Sequence, residues 1–386
     1  MKFLTTTPVS RESNIELLRI VLMLMIIGFH LLVHGAGVGS GETFTLTTST
    51  DLIYILLKSF LVLAVNCFVF ISGYYRIRLK IRTALSLILQ TTFYSLLFLV
   101  ALESTPLHQL GVVKLLESLM PIFAGTWWFI TAYFALYLLS PLLNRAVDSF
   151  SKKQFLFVVL SLTFLNCVGG LLFEDSAMGF NRGFSLVSFI HIYLLGQYIR
   201  RHYSTAKLAK WSPAVYMGCS LLLFLLAYAS IEHLTGKGIS LVFAYNNPIV
   251  LLSAIAFFFM FKRFSLHSGL INSISPYVLG VYLFHDHPLM RQHLIEQVFT
   301  TSLQGSAMLH FGYLLLITFG IFMAGYLVDR LREYLLAPLV HLLMQKSDLI
   351  RLQHIFPPRP SSHPPAGATT SGSTTQPQEP PRTEAR

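Results

Sequence analysis

The chain has 386 residues, of which 54% are hydrophobic and only 12% charged, with a mean hydropathy of +0.63 and a formal net charge of +11. Soluble domains carry about 25% charged residues, so a series of two or three soluble domains is excluded in favour of one membrane domain. The basic balance does not imply nucleic acid, because the cations cluster between apolar stretches as they do in cytoplasmic loops.

Ten apolar segments follow one another, at 15–34, 52–75, 83–103, 126–143, 154–173, 185–200, 211–231, 247–262, 273–290 and 307–328. Several approach the ~20 residues that cross a hydrocarbon layer of ~30 Å, which predicts an all-α, polytopic membrane helical bundle of about ten transmembrane helices. The first segment has an apolar centre followed by small residues, as a signal peptide does. Glu16 and Arg19 at its start, and the many later spans, favour a retained helix, with cleavage as the alternative. The segments at 185–200 and 247–262 are short, consistent with little tilt or a re-entrant course. Residues 107–122 place Lys114 and Glu117 among leucines, the pattern of an amphipathic helix at an interface. Cys67, Cys167 and Cys219 all fall in apolar segments, which suits buried packing better than a disulfide framework or metal site.

The membrane domain is expected over 1–330, followed by a cytoplasmic amphipathic segment at 331–352. A Pro-, Ser- and Thr-rich tail at 353–386 has the composition of a disordered segment and is assigned no chemistry. With the N-terminus taken as cytoplasmic, 22 of the 28 Lys and Arg residues fall on the inner side. Four (Lys114, Arg182, Lys237 and Arg291) fall outside, and Arg19 and Lys58 lie within spans. The positive-inside rule then puts both termini in the cytoplasm.

The first span carries Asn14-Ile-Glu-Leu-Leu-Arg19, then ten residues, then His30. Eleven helical steps of ~100° make three turns plus roughly 20°, so Arg19 and His30 share a stripe, about 16 Å apart along the axis. Glu16 lies on the same stripe, one turn earlier. Ionisable residues at membrane depth usually face a protein interior or a wet cavity. Two readings stand side by side. In one, Arg19 and His30 serve a site; in the other, Arg19 reaches headgroups and pairs with Glu16 while His30 only packs. Lys58 and Asn66 in the second span each require a partner inside the bundle.

This opening resembles that of the acyltransferase 3 family of bacterial membrane proteins, whose signature is Arg, ten residues, His. Val65-Asn66-Cys67-Phe68-Val69-Phe70-Ile71-Ser72-Gly73-Tyr74 is similar to the family's Gly-Val-Asp-x-Phe-Phe-x-x-Ser-Gly-Phe/Tyr segment, and Arg76, Arg78, Lys80 and Arg82 follow it as basic residues do in the family. Trp128-Phe129 to Pro141, Gly196 to Arg201 and Tyr282-Leu-Phe-His285 also fit, so the resemblance covers most of residues 14–330. Ala64 and Asn66 depart from it, standing where a Gly and an Asp are usual.

The resemblance implies transfer of an acyl group, most often acetyl, from cytoplasmic acyl-CoA to a hydroxyl of a cell-surface glycan or its lipid-linked precursor, in the bacterial cytoplasmic (inner) membrane. Acetyl-CoA is then the co-substrate, and the bilayer and a glycan or glycolipid are the partners. A neutral imidazole suits this chemistry, either as general base on the alcohol or as acyl carrier, and both routes remain open for His30. Arg19 and Glu16 complete the expected catalytic set, since a carboxylate can orient a guanidinium. Arg76, Arg78 and Ser72 are the expected cofactor-binding residues, the arginines offering planar forks to phosphate; a purely topogenic charge cluster is the alternative.

Tyr282, His285 and Trp128 are the candidate substrate-binding residues. A polar helix end is the alternative for His285, and an outer aromatic belt is the alternative for Trp128 and the expectation for Trp127. His34 forms an i, i+4 pair with His30, the spacing of a zinc pair, but no third ligand is evident in the sequence nearby and no metal is expected. A transporter or exporter of a glycan or acylated intermediate is the rival function, and a sensor or assembly subunit with a degenerate site is a third.

Overall fold

The computed structural model describes residues 12–38, 48–103, 111–173, 178–234, 238–295 and 307–347. The tail expected at 353–386 and the first part of the 107–122 stretch lie outside them. Among the described residues the chain is helical without strands. The helices are α1 (Ser13–His30), α2 (Ser49–Leu61), α3 (Ala64–Tyr75), α4 (Ile81–Leu102), α5 (Val112–Leu119) and α6 (Trp128–Ser149). They continue as α7 (Lys152–Phe164), α8 (Leu186–His202), α9 (Thr205–Leu234), α10 (Pro248–Phe261), α11 (Val278–His285) and α12 (Ala307–Ser347). Helix starts follow local chemistry. Thr48 with Asp51 and Ser151 with Gln154 form capping boxes for α2 and α7, and Asn247 caps α10 just before Pro248.

Among the described residues, seven helical stretches are long and apolar enough to cross a membrane: 13–35, 49–75, 81–101, 128–149, 152–172, 205–231 and 309–338. They match seven of the ten expected spans. The other three, α8, α10 and α11, have 17, 14 and 8 residues and are largely buried. The span expected at 273–290 is broken, with a 3-10 turn at Ser275–Tyr277 before α11 and a helix end at His285. The single span expected at 52–75 has a break at Val62-Leu63 between α2 and α3. Helix α12 runs unbroken past position 330 to Ser347.

The short helices are positioned by close backbone contacts. A Cβ on Gly73 of α3 would meet the Tyr193 carbonyl of α8, and one on Gly196 of α8 would meet the Phe70 carbonyl and Tyr74 nitrogen at 2.9 Å. Small residues facing each other let helices approach closely where lipid offers no hydrophobic drive. The C-terminus of α3 is sealed by Arg200, which donates to the Tyr74 carbonyl at 3.1 Å.

The N-terminus of α1 is fixed in the same way. Asn14 Nδ2 donates to the Phe261 and Phe264 carbonyls, both at 3.0 Å, satisfying backbone acceptors at the end of α10. Glu12 accepts from Lys262 at 2.6 Å and from the Tyr75 hydroxyl at 2.7 Å. Burial tends to raise the Glu12 pKa, but these two hydrogen bonds and the charges of Lys262 and Arg200 outweigh it and hold the carboxyl below its ordinary value.

Three buried polar side chains inside the helices find partners across the bundle. Lys58 Nζ donates to the Val38 carbonyl at 2.6 Å and lies 4.8 Å from the centre of the Phe243 ring. Asn66 Nδ2 donates to the Tyr245 carbonyl at 2.7 Å. The carboxylate of Asp329 on α12 accepts from Gln90 (3.0 Å) and Tyr94 (3.1 Å) of α4 and from Arg332 (2.6 Å). Cys67, Cys167 and Cys219 are buried and free.

Candidate functional site

The stripe expected on α1 faces a cavity. Arg19, Met23, Ile26 and His30, spaced four, three and four residues apart, all line one space of about 300 Å³. Its other walls come from α3, α6, α11 and the Ser275-Pro276 turn, and apolar and aromatic side chains predominate. Arg19 pairs with Glu16 at 3.5 Å, and its side chain is 42% exposed. His30 is 8% exposed. The cavity thus joins a partly hydrated cation to a buried imidazole.

Several sequence candidates meet on its walls. Ser72 lines it and donates to the Phe68 carbonyl at 3.1 Å, while its hydroxyl lies 3.0 Å from that of Tyr133, another lining residue. Trp128 lines it and stacks on Tyr245, the ring centres 5.8 Å apart and the planes 21° from parallel. Tyr282 also lines it and meets the Phe129 ring edge-on at 5.7 Å. Trp127 does not belong to an outer aromatic belt. It is 1% exposed and packs edge-on against His287 at 5.3 Å, whereas a belt residue must reach the headgroups.

His285 is placed differently from a residue on a cavity wall. It is fully buried; its Nδ1 contacts the Val281 carbonyl at 2.7 Å and its Nε2 is 3.2 Å from His30 Nδ1. The next residue, Asp286, brings Oδ1 to 3.3 Å from the same His30 nitrogen, and Arg291 Nε lies 3.5 Å from that oxygen. Adjacent residues of a continuous helix do not face one target. Here α11 stops at His285, and His287-Pro288 starts a new turn, so both side chains reach His30.

Arg76 and Arg78 lie outside the cavity lining. Arg76 caps α3 with a φ of 59° and a ψ of 118°, a conformation L-residues rarely adopt. Its guanidinium is held by Asp148, with two contacts of 2.9 Å, and by the side chain and carbonyl of Asn144 at 3.4 and 3.1 Å. Arg78 is exposed.

The third metal-ligating group that the sequence lacked nearby is supplied by Asp286. Ligand atoms of His30, His34 and Asp286 lie within 4.8 Å of one another. His30 Nδ1 also faces His285, and the guanidinium of Arg291 lies against the Asp286 carboxylate.

Of the residues expected to serve a site, Arg19, His30, Ser72, Trp128 and Tyr282 line the cavity, whereas Glu16, Arg76, Arg78 and His285 do not. Nothing in the sequence pointed to the structural role of Asn14 or the hydroxyl of Tyr133, and sequence reasoning did not find the contact of Asp286 with His30. The run His285-Asp286-His287 was the available signal for the last. A family model described as an acyltransferase domain (Acyl_transf_3) matches residues 12–329. No curated protein and no solved structure matches the chain.

Proposed function

The chain belongs to the acyltransferase 3 family, and from that premise we propose an acyl-CoA-dependent O-acyltransferase, most simply an O-acetyltransferase, of a cell-surface glycan or its lipid-linked precursor. It acts in the bacterial cytoplasmic membrane, with about ten helices crossing or entering the bilayer and both termini inside. The donor approaches from the cytoplasmic end, where Arg19 lies, and the acceptor hydroxyl reaches His30 from the outer side. One observation carries this reading: a single cavity links Arg19 to His30 along three turns of α1.

His30 Nε2 takes the proton of the acceptor hydroxyl as its oxygen attacks the thioester carbonyl. The tetrahedral intermediate then expels the CoA thiolate, which recovers that proton from His30, and the products are ester and free thiol. Acyl transfer through the imidazole nitrogen in two steps uses the same atoms. Arg19 is suited to an anionic part of the donor, since its guanidinium needs no change of protonation. Aromatic walls such as Trp128 exclude water that would hydrolyse the thioester. Arg78, exposed next to the occupied Arg76, is the freer of the two forks for a CoA phosphate.

Purified protein in liposomes supplied with acetyl-CoA and a polysaccharide acceptor tests the proposal. We expect CoA release that depends on acceptor and falls by at least about 10²-fold in His30→Ala and Arg19→Ala, with membrane insertion retained. Full activity in well-folded His30→Ala would overturn the role of that residue. Movement of glycan without CoA release would establish an exporter instead.

A further inference from the structure

His30 presents Nδ1 to two groups that can only accept, or best accept, a proton. The first is His285. Its Nδ1 lies 2.7 Å from the Val281 carbonyl, which has no hydrogen to give, so His285 Nδ1 is the donor there. A neutral His285 then has a bare Nε2, and that nitrogen is 3.2 Å from His30 Nδ1. The second is the Asp286 carboxylate at 3.3 Å. Both contacts require a hydrogen on His30 Nδ1. A neutral imidazole has one hydrogen, so Nε2 carries the lone pair.

We propose that Asp286 and His285 are positioning residues that lock His30 with Nδ1 protonated and Nε2 free for acyl transfer. The proposal rests on the reading of His30 as the reacting group and adds the machinery that sets its tautomer. When His30 takes a proton, its Nδ1–H stays facing His285, and the Asp286 carboxylate 3.3 Å away, at a residue 2% exposed to solvent, stabilises the imidazolium charge. Arg291, 3.5 Å from the carboxylate, balances its charge before the proton arrives. The helix end at His285 is what makes the arrangement possible, because it turns two consecutive side chains onto one ring.

The experiment uses the full chain in liposomes, with Asp286→Asn, Asp286→Glu and His30→Ala compared by acetyl-CoA turnover. Nitrogen-15 NMR of histidine-labelled protein reads the His30 tautomer. An asparagine amide can turn its NH2 toward Nδ1, which would move the ring hydrogen to Nε2. We expect Asp286→Asn to lower kcat by about 10²- to 10⁴-fold with KM for acetyl-CoA nearly unchanged, and Asp286→Glu to restore part of it. In the unsubstituted protein, His30 Nδ1 should carry the hydrogen.

A bare Nδ1 in the unsubstituted protein overturns the proposal even if every Asp286 variant fails to fold. So does an Asp286→Asn protein with normal kcat. An inactive His30→Ala beside a fully active Asp286→Asn removes only the positioning role. A fully active His30→Ala removes the underlying reading.

Discussion

Asp148 holds both arms of the Arg76 guanidinium, each nitrogen 2.9 Å from a carboxylate oxygen. Both side chains are near 40% exposed, so water screens the pair and its worth is on the order of 0–1 kcal/mol. On the proposed reading, a phosphate of the acyl donor would displace Asp148 at small cost while Asn144 keeps the guanidinium in place. Arg76→Ala should raise KM for acetyl-CoA about tenfold, equivalent to about 1.4 kcal/mol, with kcat little changed. Asp148→Asn, which removes the competitor, should lower KM. Unchanged KM in both variants would make the pair a structural clamp between α3 and α6.

The conformation of Arg76 adds a backbone comparison at the same residue. With φ at 59°, a non-glycine residue carries on the order of 1–3 kcal/mol of strain. Arg76→Gly should therefore melt higher than Arg76→Ala while showing the same rise in KM. Equal melting of the two variants would contradict the strain assigned to this position.

Glu12 sets a pH dependence of stability. Its folded pKa is depressed below 4.5, so its contribution is complete above the unfolded value and is lost as pH falls through the folded one. Thermal unfolding in detergent should separate the native protein from Glu12→Gln at neutral pH. The gap should close below about pH 4.5 as the native carboxyl is protonated. A gap that persists at pH 3 would show that the contact with Lys262 and Tyr75 acts through shape and not charge.

Packing of α3 on α8 should be intolerant of one methyl group. Gly73→Ala would drive a carbon into the Tyr193 carbonyl, for which overpacking costs about 1–3 kcal/mol. Gly218→Ala on α9 meets nothing within 4 Å and should be neutral or stabilising by up to about 1 kcal/mol. Melting temperatures of the two variants check the contrast. Loss of activity together with stability only in Gly73→Ala would link this contact to the placement of neighbouring Ser72.

Asn66 occupies a position where the family often has an acid, and the geometry accounts for an amide in this chain. Its Nδ2 donates to the Tyr245 carbonyl, which an ionised Asp would repel. Asn66→Asp should destabilise by about 1–3 kcal/mol and disturb Tyr245, which stacks on Trp128. A variant as stable and active as the parent would mean that the chain re-pairs this carbonyl.

The membrane character and the Arg19–His30 stripe were legible in the sequence. Apolar composition, loop charge and the helical period are local properties that need no folded partner. For the same reason hydropathy could not tell the seven long apolar helices from the shorter, largely buried α8, α10 and α11, since all are apolar. Only the tertiary structure decided what His30 touches. His285 and Asp286 lie 255 and 256 positions away and arrive because α11 ends beside the last turn of α1. Likewise Asn14 finds the end of α10, and Lys58 finds the Val38 carbonyl in the turn beyond α1, through tertiary packing. A buried polar group announces that it needs a partner, but its identity is set by which helices meet.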